Sequence, residues 1–178
     1  ARPTVSIRVV SHNVEKDVSG DRAFDKAVSV AEAMNADIIA LQEVCPKQFK
    51  SFFEGHRGWK IWYVPQAHST KNGCLDPGAP TGHDNPLVVI AFTGLNATTT
   101  THDLTGKPDT PGGGMVCVHF TRDGVPVDAC SVHLVADDED LRRQEVIGIR
   151  AIAKSWISQG HFVVVAGDFN ANPHRDEM

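Results

Sequence analysis

Five polar residues stand where an apolar, strand-like run gives out. Asn13 closes residues 4–14, Glu43 closes "ALQEV", His133 closes "CSVHL", and Asp168 and Asn170 close "VVVAGDFN". As a set they suit the hydrolysis of a phosphate ester. A hard carboxylate such as Glu43, with Asn13 beside it, suits Mg²⁺ (or Mn²⁺ or Ca²⁺), which keeps positions open for water and substrate oxygens. Asp168 can orient or deprotonate the attacking water. Asn13 and Asn170 offer neutral amides that bind a phosphate oxygen or fix the nucleophile without adding negative charge. His133 can donate to the phosphoryl oxygens as charge builds on them. Taken singly, each residue has a plainer explanation: a Glu after a strand is usually solvated, a His there is commonly a loop contact, and Asp-x-Asn is a common turn. Their joint occurrence carries the argument.

Such a set needs elements that deliver distant chain segments to one rim, and strand ends of a layered α/β protein do so. Residues 4–14 alternate, with Val5, Ile7, Val9, Ser11 and Asn13 on one face. Asp21 can cap a helix whose stripe is Phe24, Ala27, Val28, Ala31 and Met34, and "ADIIALQEV" follows as a buried strand, a β-α-β opening. Pro46 can start a short helix through Phe49, Phe52 and Phe53, and "KIWYV" reads as a core strand. Residues 66–86 form a long Gly/Pro-rich loop. "LVVIAF", "ATTTTHDL", the two arms around Asp123-Gly124 and "HFVVVAGDF" supply further strands, and residues 137–159 a second long helix. The run Asp137, Asp138, Glu139, Asp140 lacks the glycine and spacing of a calcium loop, so it is expected to complement the positive end of that helix. "PGGGM" precedes no helix and is expected to be a flexible approach to a strand, not a phosphate cradle.

The cysteines add a compartment. Asp123-Gly124 is the two-residue signal of a type I′ hairpin. Counting outward, Thr121 faces Pro126 and Cys117 faces Cys130, both at non-hydrogen-bonded positions. Proline is harmless there, and a Cα spacing of ~4.5 Å lies within disulfide range. Cys117–Cys130 is therefore expected to be bonded, and Cys45–Cys74 by elimination. Two disulfides imply an oxidising compartment, and the opening Ala1-Arg2-Pro3 is what a chain shows after signal-peptide removal. The expected location is secreted, extracellular.

The 178 residues, 41% apolar and 22% charged, suit a single domain, and no apolar run is long enough for a transmembrane segment. A net charge of −5 argues against bulk electrostatic retention of nucleic acid, yet leaves room for an enzyme that meets phosphate through a metal ion.

In "SHNV", "ADIIALQEV", "CSVHL" and "GDFNANP", in that order, the whole chain resembles the endonuclease/exonuclease/phosphatase superfamily. The resemblance implies a four-layer α/β/β/α sandwich of two mixed β-sheets under outer helices. It also implies a divalent-metal phosphohydrolase site at one rim, with Asn13, Glu43, His133, Asp168 and Asn170 as members. The sequence departs from the family in three ways. His12 stands where Trp is common, the polar residue often found near the strand beginning "GGGM" is unassigned, and no closing Ser-Asp-His motif follows the Asp-x-Asn turn. The domain over residues 1–178 is thus expected to lack C-terminal strands, and a complementary C-terminal fragment, cut in the loop after Pro173, is expected as a bound partner.

The substrate is read as nucleic acid, DNA before RNA. A phospholipid phosphodiesterase, which would want exposed aromatics such as Trp59, Trp62 and Tyr63, stays open. So do a phosphomonoesterase and a catalytically inactive binding module of the same fold.

Overall fold

The computed structural model describes residues 4–15, 22–46, 48, 56, 58–66, 74–75, 83–84, 86–104 and 113–171. In chain order the elements are β1 (Val9–Asn13), α1 (Arg22–Ala33), β2 (Ile38–Val44), β3 (Trp59–Pro65), β4 (Cys74–Leu75) and β5 (His83–Asp84). After these come β6 (Leu87–Thr93), β7 (Thr98–Asp103), β8 (Gly114–Arg122), β9 (Val125–His133), α2 (Glu139–Ser158) and β10 (Phe162–Asp168).

Two four-stranded sheets result, ordered β1-β2-β6-β3 and β10-β9-β8-β7. Both are mixed: β1 runs parallel to β2 and β10 parallel to β9, while the remaining pairs are antiparallel. The sheets pack face to face through Ile38, Ile90, Val116, Val118, Val127 and neighbours. The outer face of the first sheet takes Phe24, Val28 and Ala31 of α1. The outer face of the second takes Ile149, Val146 and Trp156 of α2. The order α1, sheet, sheet, α2 is the expected four-layer sandwich.

Each helix has a local cause. Leu141 N–H donates to the Asp138 side chain at 2.9 Å, making Asp138 the N-cap of α2, with Glu139 and Asp140 in the first turn where the helix dipole favours them. α1 stops in a Schellman motif: Ala36 N–H donates to Ala31 O at 2.8 Å and Asn35 N–H to Glu32 O at 3.0 Å, with Asn35 at φ 50°. That stop corrects the expected apolar stripe, because Met34 lies beyond the last turn and is 57% exposed.

Asp123 and Gly124, at φ 53° and 78°, make the type I′ turn between β8 and β9. The register is the expected one, with Thr121 opposite Pro126 and Cys117 opposite Cys130. Both disulfides are formed, Cys117–Cys130 and Cys45–Cys74.

Three further expectations need correction. The first strand is shorter than residues 4–14, although Val5 and Ile7 still pack into the inter-sheet core. Among the described residues "KIWYV" is a sheet edge and not a core strand, since β3 pairs there with β6 alone and leaves Trp62 46% and Tyr63 48% exposed. The stretch after Gln66 is not loop throughout, because β4 and β5 pair within it. Asp21, the helix expected from Pro46 through Phe49, Phe52 and Phe53, and Pro173 lie wholly or mostly outside the described residues. No helix among the described residues is long and apolar enough to cross a membrane.

Candidate active site

The C-terminal ends of β1, β2, β9 and β10 meet at one rim of the sandwich. β1 and β2 run in register with Asn13 opposite Gln42, while Asp168 lies opposite His133 in the parallel β9–β10 pair. Leu134 N–H continues that ladder to Asp168 O at 3.0 Å. Beneath the rim, Gln42 Nε2 donates to Ser131 Oγ at 3.1 Å and Ser131 Oγ to Leu41 O at 3.3 Å, a buried bridge between the sheets. It fixes the strand ends relative to one another.

Four of the five sequence-selected residues share one centre. Asn13 Nδ2 donates to Asp168 Oδ2 at 2.9 Å and to Glu43 Oε1 at 3.3 Å. His133 Nε2 stands 3.9 Å from each of those same two oxygens. The side chains grade in exposure: His133 9%, Glu43 21%, Asp168 31%. The imidazole is thus the most buried of the three and the Asp168 carboxylate the most exposed. Asn13 Oδ1 accepts from Glu15 N–H at 2.9 Å, so the amide turns its hydrogens, not its oxygen, toward the carboxylates.

Asn170 lies beside the centre. Its backbone N–H donates to Asp168 Oδ1 at 2.9 Å, and its Nδ2 donates to Leu134 O at 2.7 Å. It braces the Asp168 carboxylate, and its φ of 48° suits the turn that Asp-x-Asn makes.

Glu43 reaches the centre by a backbone irregularity. The β2–β6 register shifts between Leu41 and Val44, and Glu43 sits at φ 57° within the shift. Gly167, at φ 147°, allows β10 to pass β9 closely, since a Cβ there would stand 2.0 Å from Val132 O.

Two polar residues escaped the sequence reading. Gln66, directly after β3, places its Nε2 on His133 Nδ1. The signal was present, a polar residue where a strand runs out, but Gln66 opened what read as loop. Glu145 of α2 is fully buried and accepts from Gly113 N–H and, at 2.9 Å, from Val135 N–H, tying down the chain before β8 and after β9. Burial raises its carboxyl above the usual range against those two hydrogen bonds and the nearby Arg142 charge. A buried acid on a helix reads, in sequence, as an ordinary surface charge.

The donor chemistry fits a hard cation. Among the described residues no group of three or more His, Cys, Asp or Glu side chains forms a metal cage. Mg²⁺ is usually held by one or two carboxylates and several waters, and the partly exposed Glu43 carboxylate suits such a role.

Residues 10–178 match the Endonuclease/Exonuclease/phosphatase family. No curated protein matches by sequence. Among solved structures, the chain is similar to D. rerio TDP2 complexed with single-strand DNA product, with a TM-score of 0.71, 14% identity, and coverage of 93% of this chain and 61% of that one. It is also similar to the human Nocturnin catalytic domain with bound sulfate, with a TM-score of 0.69, 22% identity, and coverage of 96% and 67%. A mannosyl-6-phosphatase from Bacteroides thetaiotaomicron gives 0.70, 15% identity, and coverage of 97% and 68%. The chain thus spans about three fifths of the length of the first of these structures. At these identities the likeness is one of fold.

Proposed function

Because the chain belongs to the Endonuclease/Exonuclease/phosphatase family, we propose that it is a divalent-metal-dependent phosphodiesterase acting on nucleic acid, DNA before RNA. The observation that carries the reading is the convergence of Asn13, Glu43, His133 and Asp168 on one centre. A cation held at Glu43 would neutralise charge on the substrate phosphate and leave room for water. Asp168, the most exposed of the three ionisable groups, orients the attacking water and accepts its proton. Asn13 holds the two carboxylates in place. His133 donates to the phosphoryl oxygens, and Asn170 braces Asp168 through its backbone N–H while the second hydrogen of its side-chain amide, the first being on Leu134 O, can donate to the phosphate.

The DNA product in the D. rerio TDP2 structure supports nucleic acid as the substrate class. Exposed Trp62 and Tyr63 favour a second reading, a phospholipid phosphodiesterase that meets its substrate at an interface. Secretion belongs to the first proposal and rests on the two disulfides. A complementary segment of the same polypeptide belongs to it too. Among the described residues, β1 pairs only with β2 and the apolar β10 only with β9, leaving two strand edges for added strands.

The test incubates purified protein, any bound partner retained, with plasmid DNA, RNA, sphingomyelin and bis-p-nitrophenyl phosphate, with Mg²⁺, Mn²⁺, Ca²⁺ or EDTA. Metal-dependent cleavage of DNA is expected. Turnover of sphingomyelin alone selects the second reading, and no turnover anywhere leaves a binding module. Intact mass under native and denaturing conditions tests the segment: the same single species by both methods rejects it.

A further inference from the structure

A second polar constellation lies on the outer face of the second sheet, toward the strand ends opposite His133 and Asp168. His119 Nδ1 stands 2.7 Å from Asp128 Oδ1, and His161 Nδ1 stands 2.7 Å from Asp128 Oδ2. The other ring nitrogen of His119, Nε2, is 2.7 Å from Thr100 Oγ1, and His102 Nε2 is 3.1 Å from that same oxygen. Asp128 is buried, His119 is partly exposed and Thr100 is exposed. Trp156 of α2 meets the His102 and His119 rings edge-on, with centroids 5.7 and 5.4 Å away.

These bonds fix where the protons lie. His119 Nδ1 faces a carboxylate oxygen and carries a proton, so the neutral ring turns its Nε2 lone pair to the Thr100 hydroxyl. With the hydroxyl hydrogen engaged there, His102 Nε2 donates to the hydroxyl oxygen. Burial, and then repulsion from His119, holds the His102 pKa below its ordinary value, which favours the neutral ring this bond uses. Thr100 is thus a nucleophile whose proton a base can take, and a buried carboxylate orients that base.

Acyl chemistry also needs donors where the carbonyl oxygen gains charge. Among the described residues β7 pairs with β8 alone. Cys117 and Cys130 have Cα atoms 4.1 Å apart, the close spacing of a non-hydrogen-bonded pair. Cys117 therefore turns its backbone N–H and C=O toward Thr100, its partner in β7, and the N–H groups of Thr99 and Thr101 point out from the open edge. Donors thus flank the nucleophile in the chain.

We propose that Thr100, His119 and Asp128 form a second, metal-independent site that takes acyl groups from small carboxylic esters. Thr100 Oγ1 bonds to the ester carbonyl carbon as its proton passes to His119 Nε2, and the edge N–H groups receive the developing oxyanion. The bond from that carbon to the alkoxy oxygen then breaks, and the alkoxy oxygen takes the proton from His119. An alcohol leaves, and an acyl ester remains on Thr100. Water attacks this ester through the same steps, releasing the carboxylic acid and restoring the hydroxyl. Asp128 holds the imidazole and balances its charge while it carries the proton.

The test gives the full chain, any bound partner retained, p-nitrophenyl acetate in EDTA, which leaves the rim site without its cation. A fluorophosphonate probe, whose adduct is not turned over, is used in parallel with peptide mass mapping. The wild type is expected to release p-nitrophenol faster than buffer and to carry the probe on Thr100. Thr100→Val keeps the shape without the hydroxyl and is expected to lose both release and labelling, as is His119→Gln, whereas Thr100→Ser is expected to keep both. Labelling absent from Thr100, or equal p-nitrophenol release by wild type and Thr100→Val, overturns the proposal and leaves these side chains as a packed hydrogen-bond network. Should Thr100→Val fail to fold, the adduct maps of the wild type and Thr100→Ser decide.

Discussion

One amide group of Asn13 holds Glu43 and Asp168 together, although these partners lie 30 and 155 residues away in the chain. Asn13→Asp keeps the shape, removes both donated hydrogens and sets a third carboxylate against two. Removing a partner from part-buried polar groups costs about 1–3 kcal/mol. The variant is expected to melt at a lower temperature and to lose turnover, with a partial return of stability on adding millimolar Mg²⁺. Thermal melts with and without the ion check this; a variant as stable as wild type in EDTA would show that the amide is not what restrains the two carboxylates.

Glu43 and His133 are expected to separate in their effects. Glu43→Ala should weaken Mg²⁺ binding in calorimetry, whereas His133→Ala should leave binding near wild type and lower kcat by about 100-fold or more, the usual contribution of a proton donor. Equal metal binding by wild type and Glu43→Ala would remove Glu43 from the ion.

Gly167→Ala places a methyl 2.0 Å from Val132 O at a φ of 147°, so the backbone of β10 must move just before Asp168. The expected loss exceeds about 1 kcal/mol and is accompanied by loss of activity. Denaturant unfolding together with a turnover assay measures both.

Acid should loosen the sandwich at the end away from the site. There Asp37 takes hydrogen bonds from Arg122 Nη2 at 2.9 Å and Arg8 N–H at 3.0 Å. Burial works against the charged carboxylate, but these two bonds and the two guanidinium charges prevail and hold its pKa below the ordinary value. Because the folded-state value is depressed, this stability is present above the unfolded-state pKa and is lost as pH falls through the folded-state pKa. The urea midpoint of the wild type should drop across that acid range, and Asp37→Asn should flatten the drop. High salt should shrink the difference, since the pair is partly exposed.

Both disulfides restrict the unfolded chain. They close 29 residues at Cys45–Cys74 and 13 at Cys117–Cys130. On chain entropy each contributes about 3 kcal/mol, the longer loop about 0.7 kcal/mol more. Paired replacements, Cys45→Ala with Cys74→Ala and Cys117→Ala with Cys130→Ala, are expected to follow that order in urea unfolding. The reverse order would mean that native-state packing, not loop length, sets their value.

What could be read from sequence follows physical range. The hairpin was legible because Asp123-Gly124 fixes its register locally, and the disulfide at positions 117 and 130 came with it. Asn13, His133 and Asp168 were legible because a strand that turns polar at its end announces a rim. Met34 misled because the Schellman stop at Asn35 needs a left-handed residue that periodicity does not reveal. Trp62 and Tyr63 misled because apolar composition cannot tell a central strand from an edge. Gln66 and Glu145 were missed because each acts across the fold, on a partner far away in sequence.

The irregularity in β2 has a consequence for any attempt to shorten or graft that strand. Leu41 and Val44 both pack toward α1, while Gln42 and Glu43, adjacent in the chain, both serve the opposite side, one reaching Ser131 and the other Asn13. Strict alternation would permit only one of the two. Excising a single residue here would restore a regular ladder with β6, yet it would swing the carboxylate away and leave a well-formed protein without the group proposed to hold the cation.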